Sequence, residues 1–292
     1  MFEIVEKKFL APNIVSMDIL APRVAKAAKP GQFVIVVADD KGERVPLTIC
    51  DYDTEKGTVN IVIQTIGAST KKISQLEKGD YLRDFVGPLG RPSDYVNEDL
   101  EEVKKRKYLF VAGGVGTAPV YPQARWFKEN GIDVDVIIGA KTKELIILED
   151  EMREVAGNLY VCTDDGSYGF NGMVTAMIEE LVENQGKKYD VIVAIGPMIM
   201  MKFVCLLTKK YGIKTIVSLN PIMVDGTGMC GACRVNVGGE TKFACVDGPE
   251  FDGHLVDWDL ALKRLAQYKK EEEELAKRGE EKVCTCQQGG AN

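Results

Sequence analysis

Three cysteines and one aspartate near the carboxyl terminus have a spacing that suits an iron–sulfur cluster. The sequence reads Asp225-x4-Cys230-x2-Cys233, and Cys245 follows. Plant-type [2Fe–2S] sites use Cys-x4-Cys-x2-Cys together with a distant fourth cysteine. Asp225 therefore stands where the first thiolate is expected, and a carboxylate is a hard anionic donor that can also ligate iron. The spacing predicts a [2Fe–2S] site with one aspartate and three cysteine ligands.

Other interpretations of these residues are a zinc site and a free redox pair. Zinc sites usually combine two Cys or His pairs, whereas Cys245 stands alone and the one histidine, His254, lies further along the chain. A thioredoxin-like pair should follow a strand and open a helix, but segment 226–231 is rich in glycine, as a tight loop around a cluster requires. Asp225 keeps an alternative role, in which it caps a turn and a group from outside the chain supplies the fourth ligand.

The composition is that of a folded protein with room for two or three domains. The chain has 292 residues, of which 45% are hydrophobic and 28% are charged. It has no apolar run of about 18 residues and does not begin like a signal peptide, so we expect a cytoplasmic protein without membrane contact. The net charge of -7 opposes binding to the phosphate backbone of nucleic acids.

The secondary-structure elements that must position these residues change in type along the chain. Residues 1–98 contain short β-rich runs separated by turns, which predict an antiparallel β-barrel. Residues 99–218 alternate strands with helices, as is typical of a doubly wound α/β nucleotide-binding domain. Residues 219–257 are rich in glycine and cysteine and predict a small [2Fe–2S] domain. Residues 258–292 predict a charged helix and a flexible tail.

Two segments of the predicted barrel resemble the flavin-binding segments of the ferredoxin–NADP reductase superfamily. Arg44-Val45-Pro46-Leu47-Thr48 resembles the R-x-Y-S/T motif, with leucine in place of the aromatic residue. Segment 63–70 would place N–H groups and hydroxyls at a helix start, where phosphate is favoured, although alone it would indicate an ordinary N-cap. The resemblance assigns Arg44 to the FAD pyrophosphate and Thr48 to the reactive flavin edge. The full set of implied FAD contacts is Arg44, Pro46, Leu47, Thr48, Ile63, Gln64, Gly67, Ser69 and Thr70.

The resemblance continues in the predicted α/β domain. The turn after the apolar run 108–112 resembles the superfamily's G-G-x-G-x-x-P turn, whose missing side chains let the backbone approach a dinucleotide. A later segment resembles the C-G-P sequence beside the nicotinamide, with Ile195 in place of the cysteine, so we assign no catalytic residue there. The implied NAD(H) contacts are Gly113, Gly114, Val115, Gly116, Thr117, Gly196, Pro197 and Met198.

Two consecutive aspartates indicate which nicotinamide nucleotide is preferred. Asp164 and Asp165 follow the predicted strand 158–162, at the place where NADP-specific members of the superfamily usually carry Ser and Arg. A carboxylate repels the 2′-phosphate of NADP but can accept a hydrogen bond from the free ribose hydroxyl of NAD. We expect NAD(H) to be preferred. The alternative is that both aspartates only shape the turn.

The order of barrel, nucleotide domain and cluster segment is similar to two families over nearly the whole chain. One contains the electron-transfer subunits of NAD-dependent dihydroorotate dehydrogenase, whose cluster has four cysteines. The other contains the small subunits of NADH-dependent reduced ferredoxin:NADP oxidoreductase, and Asp225 favours this second family.

The second resemblance implies an electron-bifurcating oxidoreductase. NAD(H) would exchange hydride with FAD, and single electrons would pass through the [2Fe–2S] cluster to a large subunit that carries FAD and [4Fe–4S] clusters. The two subunits would form a heterodimer that also reacts with ferredoxin. The dihydroorotate dehydrogenase subunit is the first alternative, and a non-catalytic flavin or redox-sensing module is the second.

Overall fold

The computed structural model describes residues 1–272 and Glu274. In that part of the chain, no helix has both the length and the apolar character needed to cross a membrane. The predicted flexible tail, with Cys284 and Cys286, lies outside the described residues. The described chain forms two seven-stranded sheets and a two-stranded hairpin.

The first sheet is a nearly closed antiparallel barrel, as the sequence predicts. Its elements are β1 (Phe2–Ala11), β2 (Ile14–Leu20), α1 (Pro22–Ala27), β3 (Phe33–Val37), β4 (Val45–Asp53), β5 (Thr58–Gln64), α2 (Ala68–Ser74), β6 (Tyr81–Leu82) and β7 (Asp84–Leu89). The strand order is β6-β1-β2-β5-β4-β3-β7. Alternate residues of β5 point inward, so that Val59, Ile61 and Ile63 are fully buried in the barrel core.

The second sheet is the predicted doubly wound α/β sheet. Its strands and helices are α3 (Leu100–Lys104), β8 (Tyr108–Gly113), α4 (Thr117–Glu129), β9 (Asp135–Ala140), α5 (Glu149–Val155), β10 (Asn158–Thr163), β11 (Phe170–Asn171), α6 (Val174–Glu179), β12 (Val191–Ile195), α7 (Met198–Tyr211) and β13 (Lys214–Ser218). Helices cover both faces of the sheet, so β8 and β12 are buried along their whole length and are almost entirely apolar. The chain runs from β8 outward through β9 and β10, then returns to place β12 on the other side of β8.

The segment that carries the cysteines is joined to the second sheet. It contains the hairpin β14 (Arg234–Val237) and β15 (Glu240–Phe243), then β16 (Glu250–Asp252) and α8 (Trp258–Leu265). Strand β16 pairs antiparallel with β13, so it becomes the last strand of an otherwise parallel sheet in the order β11-β10-β9-β8-β12-β13-β16. The predicted fold class, a barrel followed by a doubly wound domain and a small cysteine-rich region, is confirmed.

One partly buried carboxyl group joins all three regions. Glu250 Oε1 accepts hydrogen bonds from Ser93 Oγ at 3.0 Å and from Gln123 Nε2 at 2.8 Å. Ser93 follows the barrel, Gln123 belongs to α4, and Glu250 begins β16. Burial raises the pKa of Glu250 from 4.5 to about 7, although both hydrogen bonds act in the opposite direction. The junction therefore favours the protonated carboxyl group.

We predict that Glu250→Gln changes the pH dependence of folding stability. A glutamine keeps an acceptor oxygen for both donors but does not ionise. A raised carboxyl pKa stabilises the native state below the unfolded pKa of 4.5, and this contribution is lost as the pH rises through the folded pKa of about 7. Urea unfolding from about pH 5 to about pH 8 should therefore show the wild type losing stability relative to the variant. Parallel pH profiles for the two proteins would contradict the assignment.

Candidate cofactor cleft and cluster loop

A cleft of about 1600 Å³ lies between the barrel and the α/β sheet. Its floor is formed by the carboxyl ends of β8 and β12, the two strands at which the strand order reverses. Ligands of open α/β sheets bind at this kind of switch point. The volume exceeds the roughly 300–1000 Å³ of an ordinary small-ligand pocket, so the cleft has room for parts of two dinucleotides.

Glycines allow the strand ends at the cleft floor to come together. A Cβ atom on Gly116 would lie 2.1 Å from the carbonyl oxygen of Ile195, and one on Gly113 would lie 2.3 Å from Met200 Sδ. The turn Gly114–Gly116 is a short 3-10 helix that leads directly into α4. Backbone therefore forms this part of the cleft surface, as close approach to a dinucleotide requires.

The residues predicted to contact NAD(H) divide into two groups. Thr117 and Met198 are 0% and 3% exposed and lie beneath the surface, at the first turns of α4 and α7. The others line the cleft: Gly113, Gly114, Val115, Gly116, Gly196 and Pro197. The starts of two helices thus face the same opening, where their N–H groups favour an anionic group.

The residues predicted to contact FAD lie in several different places. Ile63 is fully buried in the barrel core. Gly67, Ser69 and Thr70 lie at the exposed start of α2, where Thr70 Oγ1 accepts from the N–H groups of Ile66 and Gly67 at 3.2 and 3.1 Å. The residues of this set that line the cleft are Pro46, Leu47, Thr48 and Gln64.

The two predicted specificity aspartates have different surroundings. Asp164 lines the cleft. The carboxylate of Asp165 accepts hydrogen bonds from the backbone N–H and the hydroxyl of Ser167 at 3.0 and 2.6 Å, and the hydroxyl contact is the main cause of its lowered pKa. Asp165 therefore shapes the turn, and of the two aspartates it is Asp164 that lines the cleft. The contacts of both residues with NAD(H) stay predictions.

Several cleft residues have no counterpart in the sequence-based prediction. Ile199, Phe203 and Leu206 form an exposed apolar face on α7, with 48%, 54% and 50% of each residue accessible. The opposite, buried face of α7 is also apolar. Apolar residues on both sides of this helix were therefore the sequence signal that could have predicted an exposed apolar face. Asn13 also lines the cleft, and its buried Oδ1 has no hydrogen-bond partner. Lys141 and Lys210 add positive charge.

The four predicted cluster ligands are partly assembled. Cys233 Sγ and Cys245 Sγ are 3.2 Å apart and buried, whereas Cys230 is exposed. The carboxylate of Asp225 accepts from the backbone N–H groups of Thr227 and Cys230 at 2.8 and 2.9 Å. Within residues 1–272 and at Glu274, no three Cys, His, Asp or Glu side chains converge as a metal site.

The chemistry of this loop fits an iron–sulfur cluster. Burial and the neighbouring Cys233 raise the pKa of the Cys245 thiol to about 12, so iron binding would release its proton. The hydrogen bond from Thr227 leads the contacts that lower the pKa of Asp225, which keeps an anionic oxygen donor in the loop. Gly226, Gly228 and Gly231 have φ values of 80°, 86° and 66°, a backbone region that favours glycine. Tight turns of this kind can direct N–H groups toward cluster sulfurs.

The side chain of Arg44 contacts the segment that begins the cluster loop and does not line the cleft. Its Nε donates to the carbonyl oxygen of Val224 at 2.6 Å, and its Nη2 donates to that of Asp225 at 3.1 Å. The predicted contact between Arg44 and the FAD pyrophosphate stays a prediction.

Two family models match consecutive parts of the chain. Residues 110–206 match the oxidoreductase NAD-binding domain. Residues 220–257 match the iron–sulfur cluster binding domain of dihydroorotate dehydrogenase B. The first match covers the turn at the cleft floor, and the second covers Asp225 and the three cysteines.

The chain is also similar to whole proteins. It is 65% identical over 272 residues to an uncharacterized protein encoded in the adh 3′ region of Clostridium beijerinckii, covering 93% of this chain and 92% of that one. It is 48% identical to the electron transfer subunit homolog of dihydroorotate dehydrogenase B (NAD(+)) from Thermotoga maritima, covering 92% of each. A solved structure of the NADH-dependent reduced ferredoxin-NADP oxidoreductase, studied for flavin-based electron bifurcation, aligns with a TM-score of 0.86 and 46% identity. That alignment covers 95% of this chain and 97% of the other.

Proposed function

This chain belongs to the family of dihydroorotate dehydrogenase B electron-transfer subunits and their homologues, and from that premise we propose that it serves an electron-bifurcating NADH-dependent ferredoxin:NADP oxidoreductase. At the coarser level it is an electron-transfer subunit of an NADH-dependent flavin and iron–sulfur oxidoreductase. The observation that carries the finer proposal is an aspartate, Asp225, in the loop that also contains Cys230, Cys233 and Cys245. The similarity to the bifurcating oxidoreductase structure supports it.

The cleft residues bind and orient two nucleotides. When bound, FAD accepts the two electrons of a hydride and releases them singly, which a one-electron cluster requires. Thr48 and the backbone of β4 form the barrel wall against which the flavin would lie, and Asn13 also lines the cleft. The Gly114–Gly116 turn and the start of α7 would hold the nicotinamide nucleotide opposite. No side chain has to move a proton at the reacting carbon, because hydride transfer needs orientation only.

The cluster is proposed to be held by Asp225, Cys230, Cys233 and Cys245. Cys233 and Cys245 are already in contact, so the remaining two ligands must approach from the 225–230 segment. The proposed partner is a large subunit carrying FAD and [4Fe–4S] clusters, in a heterodimer through which ferredoxin also reacts. The second candidate is a dihydroorotate dehydrogenase subunit, which the match of residues 220–257 favours.

We predict that the protein purified without oxygen contains about one FAD, two irons and two acid-labile sulfides per chain. NADH should bleach the flavin absorbance in stopped-flow measurements. The complex isolated with this chain is then assayed for reduction of ferredoxin by NADPH in the presence of NAD⁺ and, separately, for reduction of NAD⁺ by dihydroorotate. Oxidation of dihydroorotate without any reaction of NADPH with ferredoxin would favour the second candidate. A colourless protein with stoichiometric zinc would refute both candidates.

We predict that Asp164→Asn reduces the preference for NADH over NADPH. The variant loses one negative charge beside the expected 2′-phosphate, and repulsion between exposed charges at about 4 Å amounts to about 1 kcal/mol, or roughly five-fold in relative affinity. The matched control is Asp165→Asn, whose side chain still accepts from Ser167. Rates of flavin reduction with each nucleotide give the ratio. An equal change in both variants would show that the effect is not local to Asp164.

We predict that Asp225→Asn and Asp225→Cys affect the cluster differently. Asparagine keeps an oxygen that accepts from Thr227 and Cys230, but it does not supply an anionic ligand. Cysteine supplies a thiolate at the position used by plant-type sites. The Cys variant should keep its iron with a lower reduction potential, because thiolate favours ferric iron, whereas the Asn variant should lose iron.

Iron analysis and an EPR-monitored redox titration measure both effects. The control is Asp257→Ala, which removes the N-cap of α8 outside the loop and should leave the cluster spectrum unchanged. If Asp225→Asn retains full iron content, g-values and potential, Asp225 is a turn residue and the fourth ligand lies elsewhere.

A further inference from the structure

The cluster loop is pressed against the barrel by contacts that leave no space for side chains. A Cβ atom on Gly226 would lie 2.8 Å from Leu89 Cδ1 and 3.0 Å from Ile35 Cγ1. Met223, just before it, packs with Phe33 and Ile35 in one buried cluster that also contains Cys233 and Cys245. These apolar side chains therefore hold the start of the loop on β3 and β7 by shape and provide no directional contact.

Arg44 supplies the directional contact at the same place. Its guanidinium donates to two consecutive carbonyl groups, those of Val224 at 2.6 Å and Asp225 at 3.1 Å. A guanidinium carries five N–H donors in a fixed plane, so two bonds to neighbouring carbonyls fix both the position and the direction of that stretch of backbone. The residue that follows the second of these carbonyls is Gly226, whose φ of 80° allows the sharp turn into the loop.

We propose that Arg44 is a positioning residue for the iron–sulfur cluster, holding the backbone of the first ligand in place. This inference rests on the proposed function, since it takes the cluster to be bound by the 225–245 segment. Arg44 binds neither iron nor the reacting atoms. It orients the peptide groups on either side of Asp225, so that the carboxylate is presented to the cluster while the loop stays on the barrel. Groups that orient a metal ligand in this way affect metal affinity about 10- to 100-fold.

The test compares Arg44→Lys and Arg44→Gln with the wild type. Lysine keeps the positive charge that a phosphate contact needs, but as a flexible point charge it does not reproduce the planar pair of bonds. Arg44→Lys, which keeps that charge, should retain FAD. In both variants the cluster absorbance should disappear about 10- to 100-fold faster in an iron chelator, and the EPR g-values should shift. The matched control is Arg83→Lys, an arginine beside β7 that pairs with Asp40.

The outcomes separate this inference from the proposed function. A wild-type protein without iron and sulfide refutes the proposed function and this inference with it. A wild-type cluster together with wild-type chelation rates and g-values in Arg44→Lys refutes only the positioning role. Loss of FAD from Arg44→Gln with an unchanged cluster also refutes it and assigns Arg44 to the flavin instead. An equal change in chelation rate and g-values in the control variant, Arg83→Lys, also refutes the positioning role.

Discussion

The contact between β8 and β12 at their carboxyl ends is the constraint on which the rest of the cleft depends. The backbone of Gly116 lies so close to Ile195 that a single added carbon would reach 2.1 Å from its carbonyl oxygen. A Cβ on Gly196 would in turn lie 3.1 Å from the Cα atom of Gly113. This packing brings the start of α4 and the start of α7 to one edge of the sheet. The starts of two helices then face a common space, which is the electrostatic condition for holding a pyrophosphate.

Helix α4 transmits this arrangement to the barrel. Arg125, on α4, forms an ion pair with Asp51 at the end of β4, three residues beyond Thr48. Burial raises the pKa of Asp51, and the charge of Arg125 opposes that shift. Breaking such a partly buried pair by removing one partner would leave the other charge poorly solvated. Strand β4, which carries Thr48, and the Gly114–Gly116 turn are therefore held at a fixed separation. The reason is that α4 begins at this turn and carries Arg125, which binds β4 through Asp51.

Local sequence patterns were enough to predict the fold and the cleft floor, but not the contacts between regions. The buried strand 108–112 and the glycines after it follow from hydrophobicity and backbone freedom, which act within a few residues. By contrast, Arg44 meets residues 224 and 225 across some 180 positions, and nothing in the spacing around Arg44 indicates that contact. The pair Asp164 and Asp165 shows a second limit of prediction from sequence. Neighbouring side chains in a turn point in different directions, so the sequence predicted a carboxylate at the cleft without showing that Asp164 is the one that lines it.

The cysteine-rich segment is attached to both halves of the molecule, and this determines where electrons could leave. Its first residue, Leu219, lies beside Pro249, because the N–H of Leu219 donates to the carbonyl of Pro249 at 2.9 Å next to the β13–β16 pair. Its beginning is packed on the barrel through Gly226. Between these attachments, Met229 is 88% exposed and Cys230 is also exposed. A cluster held there would have the buried thiols of Cys233 and Cys245 on the side of the barrel and the exposed Met229 and Cys230 on the other. For the function proposed, hydride is received inside the cleft, whereas single electrons depart from a surface that a partner can cover.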